Sequence, residues 1–332
     1  MRRLAPLCLA GIVIGVMAYA PPAASAAPGS RAHDVTVSSG EQEAALAFWT
    51  PQRLAAAKDA DALAVPAAEA VASPHPSQIK PLQPSVVPPA LPRASVRSTQ
   101  SPHLNSTSPQ AWNSGGLIST TAGKVFFSNN SGTYACSGDA VNSGNRSVVA
   151  TAGHCVVDAN TGEVYRNWVF IPGYHSGSRP YGTFTARSLH WMSQRIGNSD
   201  PTWDAAFATM SALNGRSLVD TVGGEGIGFD QSPGQYVYSF GYGGSDAEGN
   251  GERLNWCAGT EAFEGGHPGG GIWGIDCIQT GGSSGGPFLQ NFNTSNGIGT
   301  QTGNISVSGS GREWHPYYGR EAHDAYLAAD AA

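Results

Sequence analysis

Apolar and polar positions divide the chain into three stretches of different character. Residues 4–19 form an almost unbroken apolar run, interrupted by Pro6, that follows Arg2 and Arg3 and gives way to Ala24-Ser25-Ala26. A positive start, a short apolar middle and a small-residue end predict a cleaved secretory signal over residues 1–26. The run is too short and too quickly followed by small residues for a membrane anchor. Residues 27–111 read differently. An alanine-rich part, 41–63, predicts helix, with Thr50 as N-cap and Pro51 at the first helical position. A proline-rich part, 73–109, predicts an extended tether without a core of its own. A secreted chain arranged this way reads as a pro-segment and linker ahead of a mature domain.

From residue 112 the pattern becomes one of short β-prone runs: 124–127, 133–136, 146–150, 163–170, 181–185, 205–209, 235–242, 271–278 and 304–307. Clusters of Asn, Gly and Ser at 128–132, 142–145 and 158–162 punctuate them. Roughly 210 residues of such runs predict an all-β body, and fit two small barrels better than one. Residues 319–329 read as a closing helix that packs Tyr326 and Leu327 on the second barrel.

Composition narrows the reading. Of 332 residues, 44 are glycine and 13% are charged, which favours strands and turns over long solvated helices. A net charge of −6 gives no footprint for nucleic acid or an anionic membrane. Cys8 falls within the signal, leaving Cys136, Cys155, Cys257 and Cys277. Four cysteines in a secreted chain allow three pairings, and proximity favours Cys136–Cys155 and Cys257–Cys277. No zinc-binding spacing occurs, and no metal or cofactor is expected. The alternating acids of Asp246-Ala247-Glu248-Gly249-Asn250-Gly251-Glu252 lack the full calcium-loop pattern and read as a polar turn.

Two stretches carry chemistry. Gly281-Gly282-Ser283-Ser284-Gly285-Gly286-Pro287 surrounds a serine with glycines, which lets the backbone turn tightly around one hydroxyl. The N–H groups of Gly282 and Ser284 would then converge as an oxyanion hole. Ala150-Thr151-Ala152-Gly153-His154-Cys155 places a histidine directly after an apolar strand. Histidine, with an ordinary pKa of about 6.5, suits general-base work near neutrality.

Thr151-Ala152-Gly153-His154-Cys155 and Gly282-Ser283-Ser284-Gly285-Gly286-Pro287 together resemble the histidine and serine motifs of chymotrypsin/trypsin-like serine peptidases. The likeness runs from about residue 115 to 320 and is nearest to the secreted bacterial branch that includes glutamyl-endopeptidase-like enzymes. It implies two six-stranded antiparallel β-barrels, at about 115–210 and 218–320, then the C-terminal helix. The whole of 112–332 would be the peptidase domain. It also implies a monomeric, secreted endopeptidase acting on protein or peptide substrates, with His154, Asp204 and Ser284 as catalytic residues. Asp204 opens the apolar run Ala205-Ala206-Phe207; Asp200, Asp220 and Asp158 are the less favoured aspartates.

The sequence departs from the family in places. Ser283 stands where the digestive enzymes have an aspartate, and Asp276 is eight residues too early to replace it. Ile278 stands where trypsin carries its specificity aspartate, so a preference for Arg or Lys is not expected. The strand after the serine lacks the histidine of glutamyl-specific enzymes, and His315 is the only histidine near it. The competing readings are an inactive homologue that only binds, and an esterase; the second would need a G-x-S-x-G elbow in an α/β fold.

Overall fold

The computed structural model describes residues 32–64, 83–92, 104–197, 200–265 and 271–332; the expected signal, 1–26, lies outside them. Four short strands lead the chain: β1 (Ala32–Thr36), β2 (Lys58–Asp59), β3 (Ser85–Val87) and β4 (Ser106–Ala111). The first half of the body follows as β5 (Ala122–Asn129), β6 (Gly132–Val141), β7 (Val148–Ala152), β8 (Arg166–Pro172), β9 (Phe184–Met192) and β10 (Ala205–Met210). These six pair antiparallel in the cycle β5-β6-β7-β10-β9-β8 and back to β5, a closed barrel. Alternation along β5 decides its packing. Val125 and Phe127 point into the barrel core with Cys136, Val149, Phe170 and Leu189, while Phe126 points outward.

The outward face is covered by the leading segment. Helix α1 (Ser39–Phe48) starts at a Ser38/Glu41 capping box, and α2 (Pro51–Ala55) starts at Thr50 with Pro51 in the first turn. The helical reading of 41–63 therefore holds to residue 55, with a break at Trp49-Thr50. Beyond that the chain forms β2 and a 3-10 turn (Ala60–Leu63). Trp49 and Leu54 pack with Phe126, Val169 and Ile171, and the Trp49 indole donates to the Asn167 carbonyl at 2.5 Å.

The second half comprises β11 (Gly226–Phe229), β12 (Tyr236–Gly241), β13 (Asn255–Thr260), β14 (Ala262–Gly265), β15 (Ile272–Ile275), β16 (Pro287–Asn293), β17 (Ile298–Asn304), β18 (Val307–Gly309) and β19 (Arg312–Pro316). Its hydrogen bonds form a seven-stranded sheet, β3-β11-β17-β16-β12-β13-β4, and a four-stranded one, β14-β15-β19-β18. Most pairs are antiparallel; β11 and β17 run parallel. The all-β, double-barrel architecture expected from the sequence is the one found. The stretch expected as a loose tether supplies β3 and β4, one on each edge of the larger sheet. Proline-rich chain suits an edge, where a missing N–H breaks no ladder, and covered edges do not recruit other strands.

Both disulfides follow the proximity pairing, Cys136–Cys155 within the first barrel and Cys257–Cys277 across the two sheets of the second half. The C-terminal helix (Arg320–Ala331) differs in placement from the expectation. Helical spacing puts Ala322, Ala325, Tyr326 and Ala329 on one buried face, and Leu327 is exposed. Tyr326 meets Phe207 of β10 as well as Phe229 of β11, so the helix lies over the junction of the halves. Among the described residues no helix is long and apolar enough to cross a membrane.

A pair of fully buried acids sits at that junction. Asp139 lies on β6, and Glu225 enters β11 through backbone bonds to Ala140 and Asn142 at 2.9 Å each. Burial raises the Asp139 carboxyl to about 8; burial and Asp139 together raise Glu225 well above the usual range. The folded chain therefore keeps protons that the unfolded chain surrenders from about pH 4 upward. The resulting stability is complete below pH 4 and declines as pH rises toward 8, by up to about 1.4 kcal/mol per pH unit for each retained proton. Urea melts of wild type and Asp139→Asn between pH 5 and 8 should show a flatter slope for the variant; identical slopes would refute the retained proton.

Candidate active site

Strand register brings the histidine and the aspartate together. β7 and β10 pair with Ala152 opposite Ala205, so the turn Gly153–Cys155 leaves one strand beside Asp204, which enters the other. His154 Nδ1 lies 2.7 Å from Asp204 Oδ2, and the His154 backbone N–H donates to Asp204 Oδ1 at 2.8 Å. Gly153 permits this approach, since a Cβ there would stand 3.0 Å from the carboxylate. Cys155, bonded to Cys136, pins the same turn to β6.

The carboxylate has further donors. Ser306 Oγ donates to Oδ2 at 2.6 Å, and the buried Arg195 guanidinium lies 3.1 Å from Oδ1. Asn304 Nδ2 donates to the Asp204 carbonyl at 3.0 Å. Burial alone would raise this acid; His154, Arg195 and the hydrogen bonds from His154 and Ser306 outweigh it and hold it at about 2. The less favoured aspartates have other duties. Asp200 caps the turn Pro201–Trp203, Asp220 pairs with Arg146 at 2.8 Å, and Asp158 accepts from the N–H groups of Asn160 and Thr161.

The serine turn is sewn between the halves by Ser137 of β6. The Ser137 N–H donates to the Ser284 carbonyl at 2.7 Å, and its hydroxyl donates to the Gly282 carbonyl at 2.9 Å. Gly282 and Gly285 both have positive φ, at +89° and +87°. A Cβ on Gly285 would run into Thr151 and the Ser137 carbonyl, so glycine is required there by contact as well as by conformation. The N–H groups along the turn are unequally used. Ser283 donates to Thr280 and Gly285 to Ile305, whereas those of Gly282 and Ser284 have no protein acceptor among the described residues. His154 Nε2 is buried and has no partner among them either. Ser284 Oγ instead meets Asp61 of the leading segment at 3.3 Å.

Residues 136–298 match the trypsin-like peptidase domain family. The solved structure of protease Anisep from Arthrobacter nicotinovorans is 36% identical, covers 68% of this chain and 100% of its own, and superposes with a TM-score of 0.60. The chain belongs to the trypsin-like serine peptidases. A thermostable serine protease, AL20, from an extremophilic microorganism is also 36% identical, over 65% of this chain and 99% of its own, with a TM-score of 0.60. A Glu endopeptidase solved with MPD shares the fold at 16% identity, over 68% of this chain and 97% of its own, TM-score 0.53. No curated protein matches the sequence.

In this peptidase the residues flanking the serine turn form a polar wall. The Gln279 N–H donates to Glu313 Oε2 at 3.0 Å, its carbonyl accepts from Ser308 Oγ at 3.1 Å, and Ser239 bonds the other Glu313 oxygen. Burial raises the Glu313 carboxyl to about 7. His315 lies beneath, against Phe288 and 3.7 Å from Glu261. Asp276 is exposed and pairs with Arg312, away from the turn. The polar turn 246–252 is structural: Glu248 bonds Thr280, and Glu252 accepts from Tyr174. Cys136, His154 and Cys155 crowd together closely enough for a metal, but both sulfurs are consumed by their disulfide.

Arg195, Ser137, Asn304 and Ser306 escaped the sequence reading, because each acts through a partner 50 or more positions away or lacks a motif; Arg195, nine positions before Asp204, is an ordinary arginine in an ordinary turn. Their arrangement yields an acid-limb prediction. Asp204 titrates at about 2 when folded, below its unfolded value, so its contribution is present above pH 4 and disappears as pH falls from 4 to 2. Asp204→Asn should remove that part of the acid limb in urea melts from pH 5 to 2. At pH 7 it should lose about 3–5 kcal/mol, because Arg195 is left buried and unpaired.

Proposed function

We propose that this peptidase is a secreted serine endopeptidase working through His154, Asp204 and Ser284. One observation carries the reading: a buried imidazole–carboxylate pair beside a serine turn whose Gly282 and Ser284 amides have no acceptor among the described residues. His154 Nε2 takes the Ser284 proton as Oγ attacks a peptide carbonyl. Asp204, ionised at any working pH, holds Nδ1–H and stabilises the imidazolium. The oxyanion of the tetrahedral intermediate accepts from the Gly282 and Ser284 N–H groups. His154 then passes the proton to the leaving amine, which departs and leaves an acyl-Ser284 ester. Water, deprotonated by the same imidazole, attacks that ester and frees the carboxylic acid and the serine hydroxyl.

The domain scheme belongs to this proposal: signal 1–26, pro-segment and linker 27–111, peptidase 112–332, acting as a monomer outside the cell. Two disulfides suit an oxidising compartment. No observation favours the inactive-homologue reading, since all three side chains are present. Specificity for Arg or Lys is not expected with Ile278 in the sequence position of trypsin's specificity aspartate, and Glu specificity lacks its histidine.

A fluorophosphonate probe should label the active protein and fail to label Ser284→Ala; a Ser284→Ala protein that retained proteolysis would refute the assignment. Removal of one oxyanion donor should slow turnover by about 10²–10³. A peptide-library digest should show no enrichment of Arg or Lys before the cut.

A further inference from the structure

The hydroxyl of Ser284 faces a side chain of the leading segment rather than His154, and the contact is part of a larger insertion. β2 pairs in parallel with β6, Lys58 opposite Tyr134 and Asp59 opposite Ala135, one residue before the Cys136–Cys155 disulfide. Ala60 is fully buried in the barrel-core cluster with Cys136 and Cys155, and Leu63 packs against the same cluster. The 3-10 turn Ala60–Leu63 then runs past the histidine turn.

Two carboxylates of this segment lie on the serine turn. A Cβ placed on Gly282 would stand 2.8 Å from Asp59 Oδ1, and one on Gly281 would stand 3.0 Å from both Asp59 Cβ and Asp61 Cγ. Asp61 Oδ1 is 3.3 Å from Ser284 Oγ. With the segment in place Ser284 is 3% exposed and His154 1%, too little for a substrate carbonyl to reach them. We propose that residues 58–63 are an acidic plug that occupies the catalytic cleft, and that the same cleft binds a free peptide bearing two aspartates spaced as Asp59 and Asp61 are. The proposal rests on the catalytic reading of Ser284 above.

Three features make the segment an inhibitor rather than a substrate. What it offers the turn is side-chain carboxylate, which is a poor electrophile, and no backbone carbonyl of the segment bonds the Gly282 or Ser284 N–H among the described residues. An anion suits a turn whose free amides are arranged to meet negative charge. Asp61 also draws the Ser284 hydroxyl away from the imidazole that must deprotonate it. The anchorage comes from Ala60, a small side chain in a tight core position, and from Lys124. This buried lysine holds its ammonium 5.2 Å from the ring centres of Phe126 and Tyr174 and acts electrostatically on Asp59, with Glu252 also nearby in charge. The plug is also strained by charge. Desolvation first, then Asp61 and Glu248, push the Asp59 carboxyl up against the opposing pull of Lys124. Packing at Ala60 therefore holds the segment, with Lys124 adding an attraction that the neighbouring acids oppose.

The test uses the uncleaved chain. A plug docked nine times in ten should slow fluorophosphonate labelling of Ser284 about tenfold. Ala60→Arg, too large for its site, and the milder Asp59→Asn/Asp61→Asn double variant should each label faster than wild type, as should wild type cut within residues 58–63. The synthetic peptide Ala-Lys-Asp-Ala-Asp-Ala-Leu-Ala should slow labelling of the Ala60→Arg chain again, whereas its Asn-for-Asp counterpart should not. If Ala60→Arg fails to fold, the double variant serves in its place. Fluorescently tagged peptide should bind an Ala60→Arg/Ser284→Ala chain, and Lys124→Met should weaken that binding. Equal labelling rates for wild type and both plug variants, or absence of peptide binding, would overturn the plug. Failure of every variant to label, with peptide binding retained, would instead overturn the catalytic reading and leave the cleft's occupant standing.

Discussion

The Asp204 carboxylate is the group on which the rest of the site depends. It is removed from water and met by an imidazole, a backbone N–H, a guanidinium and a hydroxyl drawn from the β7 turn, the loop before β10 and the link between β17 and β18. An unpaired charge at that depth would be intolerable, so each donor must be in place once the fold closes. That demand fixes the tautomer of His154, because Nδ1 must carry the proton that faces the carboxylate, leaving Nε2 as the free base. It also explains the glycine before the histidine. A side chain at 153 would displace the acid from the backbone amide it accepts from.

The same economy governs the junction of the two halves. Ser137 bonds the serine turn at two carbonyls, receives the Thr151 hydroxyl on its own carbonyl and accepts the Tyr242 N–H on its hydroxyl. One small residue beside the Cys136–Cys155 bridge thus joins the strand that leads to the histidine, the serine turn and the second sheet. The serine and the histidine are not brought together by a hydrogen bond between them. They are brought together because each is tied to β6, which leaves the serine hydroxyl free to rotate toward Asp61 or toward a substrate-bound geometry.

The leading segment serves the body in two ways that arise from the same physics. Its strands β3 and β4 close the edges of the larger sheet, and Trp49 and Leu54 cover apolar residues on the outer face of the barrel. Having paid much of its ordering entropy through these contacts, the chain can hold a weakly bound hexapeptide in the cleft at high effective concentration. Local anchoring by Ala60 and global anchoring by the strands make an otherwise modest acidic contact effective.

Much of this was legible along the chain, because the chemistry of the two motifs is local. Turn glycines at 282 and 285, a histidine directly after an apolar strand, and four cysteines spaced in two close pairs all impose their geometry on immediate neighbours. Thr50-Pro51 announced a helix start for the same reason. Short β-prone runs between Asn, Gly and Ser clusters marked the six strands of the first barrel but few of the second half, and residues 58–63, alanine-rich and helix-prone, were drawn into a strand and a 3-10 turn by pairing with β6. What tertiary structure alone decided are the contacts whose partners are remote: Arg195 and Ser306 on Asp204, Asp139 against Glu225, and Asp61 on Ser284, separated from it by 223 positions. Sequence specifies a residue's intrinsic conformational and chemical preferences; which buried charge it will meet depends on how the strands register and close, and that is a property of the whole fold.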